Sequence, residues 1–270
     1  MIDIGANLTH SSFRDDLEPV VARARAAGVT SIVVTGSTVE ESRTATEIAD
    51  RFDLYATAGV HPHHARDCDA TTIPQLREIA KHPRIVAIGE CGLDFNRNYS
   101  PHPDQEKWFV EQLRLGLELG KPLFLHSRDA HPRFAEIVKR EKVRKAVAHC
   151  FTGEKDELHA YLDLGLYIGI TGWICDERRG QHLLALVREI PKERLLLETD
   201  APYLTPRDMR PQPRSRRNEP AFLPHILKTV ARALGRSPEE VAAETAGNAQ
   251  TLFGIRESRA TAHEKRPAAA

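Results

Sequence analysis

Residues 85–90 read IVAIGE and residues 195–200 read LLLETD, each an apolar run that finishes on a carboxylate. Two further runs share the pattern: PLFLHS (122–127) carries His126 and KAVAHC (145–150) carries His149. A strand that buries its body and offers Glu, His or Asp at its C-terminal tip meets other such tips only if the strands run parallel. Glu90, His126, His149 and Asp200, far apart in sequence but on one rim, would make an oxygen- and nitrogen-rich pocket for a divalent cation. The expectation is therefore a parallel sheet with its chemistry at the C-terminal edge.

The rest of the chain keeps this alternation. Apolar or β-branched runs fall at 1–7, 31–36, 54–61, 85–92, 122–127, 145–151, 167–172 and 195–202. Between them, 17–26 places Leu17, Val20, Val21 and Ala24 on one helical face, and 106–119 does the same for Trp108, Phe109, Leu113 and Leu117. Eight strand runs alternating with helices predict an α/β fold of the (β/α)8 TIM-barrel type, in which active sites lie on the C-terminal rim. An open doubly wound sheet is the rival, but no Gly-rich phosphate loop follows the first run. An arginine-rich loop, a helix over 219–235 and another near 238–250 follow the eighth run. Residues 1–255 thus read as one barrel domain, and 256–270 (RESRATAHEKRPAAA), which has no apolar period, as a disordered tail.

The chain has 270 residues, 41% of them hydrophobic, and its 38 basic and 38 acidic residues cancel. No global field recruits a polyanion, so nucleic-acid binding has to come from local arginines. The start, MIDIGANLTH, lacks the pattern of a signal peptide, and no apolar run reaches the roughly 18 residues that would suggest a membrane span. Cys68, Cys91, Cys150 and Cys175 form no CxxC pair and read as reduced thiols. These features lead to the expectation of a cytoplasmic monomer with no membrane partner.

Divalent hydrolytic metals take carboxylate oxygen and imidazole nitrogen, and their sites leave a coordination position for water. Any one of the four tip residues alone reads as a helix cap or an ordinary polar strand end. Jointly, a structural explanation needs four accidents on one rim. His61 and His63 in GVHPH suit either metal or phosphate. Asp94, Arg128 and Asp129 directly follow ligand candidates, and Arg128 either clamps a phosphate through its planar fork or pairs with Asp129. In the loop after the eighth run, a solvated charge run is the default for Arg207, Arg210 and Arg214, whereas Arg216 and Arg217 fall on the rim of the ligand tips. Arg178 and Arg179 form another basic pair after the seventh run. Phe95, Tyr99, Phe151, Trp173 and Tyr203 follow strands; most read as rim packing and one or two as stacking platforms for bases.

In this order and spacing, GVHPH, AIGECGLDF, HSRDA, HCFTG and ETDAPYL resemble the TatD family of metal-dependent deoxyribonucleases. The likeness covers about residues 1–255, and IGANLT, GWICDERRG and SRRNEPAFLPHI bring it nearest the bacterial members. It implies a magnesium-dependent TIM-barrel nuclease, with Mn²⁺ or Zn²⁺ as alternative metals. It further implies a 3′-to-5′ exonuclease on single-stranded DNA and RNA with a role in DNA repair. By resemblance, Glu90, His126 and His149 match metal ligands, and Asp200 matches the acid that binds metal or orients the attacking water. Asp200 and Glu90 are the catalytic candidates; His61, His63, Arg128, Arg216 and Arg217 are the phosphate-binding ones.

The chain departs from the family at its first strand, where His-x-His is replaced by Gly5 and Asn7. That change implies one well-formed metal position and a second that is conditional, and histidines restored at both positions are expected to raise the metal content. Two other readings fit the same residues: a barrel metallohydrolase of a small ester or amide, and a catalytically weak nucleic-acid-binding barrel.

Overall fold

A strand forms at every one of the eight runs: β1 (Ile2–Ala6), β2 (Ser31–Val34), β3 (Tyr55–Ala58), β4 (Ile85–Asp94), β5 (Leu123–Arg128), β6 (Ala146–Ala148), β7 (Tyr167–Ile170) and β8 (Leu195–Leu197). In the computed structural model, which describes residues 1–255, they pair in chain order, all parallel, as one eight-stranded sheet. The expected tail, 256–270, lies outside the described residues. The sheet comes round on itself through the segment just past β8. Ala6 bridges Ala201, the Asp200 N–H donates to Gly5 O at 2.8 Å, and the Asn7 N–H donates to Ala201 O at 2.7 Å. The result is a nearly closed (β/α)8 barrel, as the eight runs predict.

The helices are α1 (Leu17–Ala26), α2 (Val39–Phe52), α3 (Thr72–Ile79), α4 (His102–Leu119), α5 (His131–Arg140), α6 (Lys155–Asp163), α7 (Leu183–Leu186), α8 (Leu223–Leu234) and α9 (Pro238–Phe253). Local chemistry sets several of their ends. Thr38 caps α2 by accepting from the Glu41 N–H, and Ser237 with Glu240 forms a capping box on α9 just before Pro238. Gly120 and Gly235 end α4 and α8 in left-handed backbone. The face expected on α1 is buried at Val20, Val21 and Ala24. In α4, Trp108, Phe109 and Leu113 are buried, but Leu117 is 42% exposed, because the buried face centres on Gln105, Phe109, Gln112 and Gly116 and Leu117 falls at its edge. Among the described residues no helix is long and apolar enough to cross a membrane.

The core has two parts. A shell between strands and helices includes Ile32, Val34, Leu123, Leu125, Leu195 and Leu197. A separate cluster unites Val33, Phe124, Val147 and Leu196 with Ala246, Ala249, Leu252 and Phe253 of α9. These are the barrel interior and the helix that plugs it. Side chains two residues apart on a strand share a face. Phe124, Val147 and Leu196 point into the barrel, so His126, His149 and Glu198, two residues further on, point the same way at the open mouth.

Two strand ends differ from the sequence reading. β8 stops at Leu197, so Asp200 stands in the loop beyond it rather than at a strand tip. β4 runs on to Asp94, which puts Glu90 mid-strand. There the pairing with β5 slips between Gly89 and Cys91. Such a slip re-aims a side chain without ending the strand.

Candidate active site

The barrel mouth opens into a cavity of about 620 Å³ whose wall includes His61, Glu90, His126, His149 and Asp200. Glu90 is its centre. One carboxylate oxygen, Oε1, lies 2.8 Å from His149 Nε2, 3.0 Å from His126 Nδ1 and 3.2 Å from His61 Nε2. Asp94, buried at the end of β4, lies 2.7 Å from His63 Nε2 and 3.7 Å from His126 Nε2. Asp200 Oδ1 accepts from Asn7 Nδ2 at 2.9 Å.

Burial and charge oppose each other throughout this cluster. Burial raises the Glu90 pKa, but the charges of His149 and His61 and the hydrogen bonds of His126 and His149 outweigh it and hold it well below the usual range. Burial lowers His149, yet the carboxylates of Glu90 and Glu198 hold it well above its ordinary value. His126 is likewise raised, by Asp94 and Glu90 against burial. For His61 burial wins and pushes it down to about 4. Asp200 is driven up to about 7, first by burial.

The donor set fits a divalent cation. Asp3, Glu90, Asp94 and Glu198 are buried carboxylates, and among the described residues none pairs with a lysine or arginine. Buried negative charge without such partners calls for protons or a metal ion. His126 Nε2 is buried with no hydrogen-bond partner among the described residues, as suits a ligand nitrogen. His61, Glu90 and His126 offer ligand atoms all within 4.8 Å of one another. A cation here would compete with the protons of His126 and His149.

Of the phosphate-binding candidates, His61, His63 and Arg128 line the cavity, but the two loop arginines do not. Arg216 lines a separate, smaller pocket with Thr205, Arg207, Arg210 and Gln212. Arg217 is held away from the cavity by its own partners. Its Nη2 is 2.7 Å from Asp16 and 2.8 Å from Glu219, and its guanidinium lies over the Phe13 ring. It therefore ties the loop to the start of α1. The cavity's cations are instead Arg97, Arg128 and Arg179, with Arg179 stacked over Trp173 at 4.2 Å. Of the aromatics, Tyr99, Trp173 and Tyr203 line the mouth, and Tyr99 and Tyr203 are each 51% exposed.

The first strand also reads differently in three dimensions. A β-carbon on Gly5 would fall inside the contact distance of Glu198 Oε2 and 2.9 Å from the Phe124 ring. A histidine at position 5 therefore has no room, and Asn7 is already engaged with Asp200. Glu198 is the residue that sequence reasoning missed. It is fully buried, accepts from the Cys150 N–H at 2.6 Å, and lies 3.4 Å from His149 Nδ1. Its carboxylate fills the space above Gly5 and Gly169, where any side chain would collide with it. The signal was available: Glu198 lies two residues before Asp200 and two after Leu196, on the barrel-facing side of LLLETD.

Eight parallel strands that turn carboxylates and imidazoles into one mouth define the class as a TIM-barrel metallohydrolase. The chain belongs to the TatD-related DNase family, whose profile matches residues 2–254. It is 54% identical over 258 residues to the 3′-5′ ssDNA/RNA exonuclease TatD of Klebsiella pneumoniae, covering 94% of this chain and 98% of that protein. The protein of the same name from Pantoea vagans is 55% identical over 259 residues, covering 94% of this chain and 100% of its own. Among solved structures, the Escherichia coli TatD homologue YjjV superposes with a TM-score of 0.87 at 28% identity, over 95% of this chain and 98% of that one. A phosphotriesterase homology protein from E. coli shares the fold, with a TM-score of 0.68 at 13% identity over 93% and 98% of the two chains. The chain is accordingly a nuclease of this family, and the fold and family expected from its runs and motifs agree with the profile, the relatives and the solved structures.

Proposed function

We propose that the chain is a Mg²⁺-dependent 3′-to-5′ exonuclease of single-stranded DNA and RNA that serves DNA repair in the cytoplasm. The observation that carries the metal dependence is Glu90 Oε1, within 3.2 Å of ring nitrogens from three histidines in an acidic, buried mouth. Polarity and substrate rest on the name shared by relatives that are more than half identical to it.

In this reading Glu90, His126 and His149 hold the ion, with His61 within reach of the same oxygen. Mn²⁺ and Zn²⁺ suit the same donors. Bound there, the cation supplies Lewis-acid polarisation of the scissile phosphate and acidifies a water. The chain's own residues do the rest. Asn7 fixes one Asp200 oxygen, which leaves the other to accept the proton of the attacking water. Glu198 sets the tilt of the His149 ring from behind. Arg128 and Arg179 neutralise flanking phosphates, while Tyr203 and Trp173 offer faces on which bases of any sequence stack. The exposed aromatics and rim arginines favour a nucleic-acid chain over a small ester.

The test uses 3′- and 5′-labelled single-stranded DNA and RNA with Mg²⁺, then with EDTA, beside generic esterase substrates. Stepwise shortening from the 3′ end, abolished by EDTA, is expected. Binding without cleavage would replace the proposal with an inactive binding barrel, and ester hydrolysis alone would replace it with a small-molecule hydrolase.

A further inference from the structure

Among the described residues, one more set of metal-ligand side chains converges outside the barrel mouth. Cys175 ends the 3-10 turn Gly172–Cys175 after β7, Asp208 lies in the loop after β8, and His225 is in the first turn of α8. Each offers one ligand atom, and the three atoms all lie within 4.8 Å of one another. None of the three residues lines the active-site cavity. Cys175 is buried, while Asp208 and His225 are partly open to solvent, which gives a closed soft side and an open path for an ion.

We propose that Cys175, Asp208 and His225 form a second metal site, selective for Zn²⁺, that pins the arginine-rich loop after β8 to α8. The chemistry of the set points to this ion. Thiolate with imidazole and carboxylate is a borderline-soft donor set that suits Zn²⁺, whereas Mg²⁺ takes oxygen alone. One thiolate and one carboxylate balance the dication, so the filled site is neutral, as a half-buried position requires.

The geometry is close to what the ion needs. Donors on a tetrahedral zinc stand about 3.3–3.8 Å apart. His225 Nε2 and Asp208 Oδ1 are now 2.7 Å apart and share a proton, so they have to part by about 0.7 Å. Binding releases the Cys175 thiol proton to solvent, along with any proton held between Asp208 and His225. Burial keeps that thiol protonated otherwise. Water completes the fourth position.

Thr205, Arg207, Arg210, Gln212 and Arg216 line a pocket in this same loop, and Asp208 sits among them in sequence. The site thus fixes the loop that begins just past Tyr203 at the active-site mouth. Its role is structural, and it is distinct from the Glu90 cluster, whose donors are oxygen and nitrogen.

Cobalt substitution separates the two sites, because only a thiolate gives a near-ultraviolet charge-transfer band with Co²⁺. The full, reduced chain is expected to develop that band within about two equivalents of Co²⁺, one of which the Glu90 site takes without a band, and to lose it on adding Zn²⁺. Cys175→Ser should abolish the band. His225→Gln should weaken Co²⁺ binding by about tenfold or more while keeping the thiol. Cys150→Ser, which removes the one thiol at the active-site cavity, should leave the band in place. No band at saturating Co²⁺, or a band lost with Cys150 and kept without Cys175, would overturn the site. Zn²⁺ should also slow trypsin cleavage after Arg214 and Arg216 severalfold in the wild type but not in Cys175→Ser. Equal rates with zinc bound would overturn the pinning.

Discussion

Glu198 and Asp3 are buried acids at the base of the site, and each does something a neutral residue does differently. Glu198 accepts from the Cys150 N–H and faces His149 Nδ1, so it selects the tautomer and tilt of a ring that meets Glu90 on its other side. Glu198→Gln puts an amide N–H where that acceptor stood, and a titration with Mn²⁺ should record affinity lower by about 10- to 100-fold. Asp3 accepts from the Thr199 N–H and hydroxyl and from the Gly5 N–H, yet burial still drives its pKa up to about 7. Between about pH 4 and 7 the folded state therefore keeps a proton that the unfolded chain has released. The Asp3 contribution to stability is fully present below about pH 4 and is lost as the pH rises through 7. Asp3→Asn mimics the protonated form. Its melting temperature should match the wild type near pH 4 and exceed it increasingly towards pH 8, by the equivalent of a few kcal/mol. A constant difference across that range would contradict the burial argument.

Among the elements, β1 makes the tightest demand. Gly5 leaves the space that the Glu198 carboxylate fills, so Gly5→Ala has to move either that carboxylate or the Phe124 ring. Overpacking of this kind costs about 1–3 kcal/mol, and thermal unfolding should register the loss together with reduced metal affinity. Strand geometry also decides how far the site is legible in the sequence. His126 and His149 can be read because each follows, by two residues, an apolar residue that faces the barrel. Glu90 faces the mouth as its run predicts but does not end its strand, since a register slip inside β4 leaves no compositional trace. Glu198 is hidden by its neighbour Asp200, the more familiar ligand type. The pairing of Arg217 with Asp16, 201 residues away in the chain, is not legible in a charge run.

At the scale of the whole molecule the fold separates stability from chemistry. α9 plugs the lower end of the barrel with Ala246, Ala249, Leu252 and Phe253, and the polar cluster keeps to the opposite mouth. With 38 basic and 38 acidic residues the protein has no net field, so attraction of a polyanion falls to the mouth cations, Arg97, Arg128 and Arg179. Arg128→Ala should raise KM for single-stranded DNA severalfold, flatten its dependence on salt by about one phosphate contact, and change kcat little. An unchanged salt slope would place the phosphate path elsewhere.

If Glu90 gathers the cation and Asp200 handles the water, cleavage rate measured against Mg²⁺ concentration must depend on both. The wild type should saturate, while Glu90→Gln and Asp200→Asn, both with an unchanged circular dichroism spectrum, should stay slower by about 10²–10⁴-fold at every Mg²⁺ concentration. Near-normal cleavage by either folded variant would refute that division of labour.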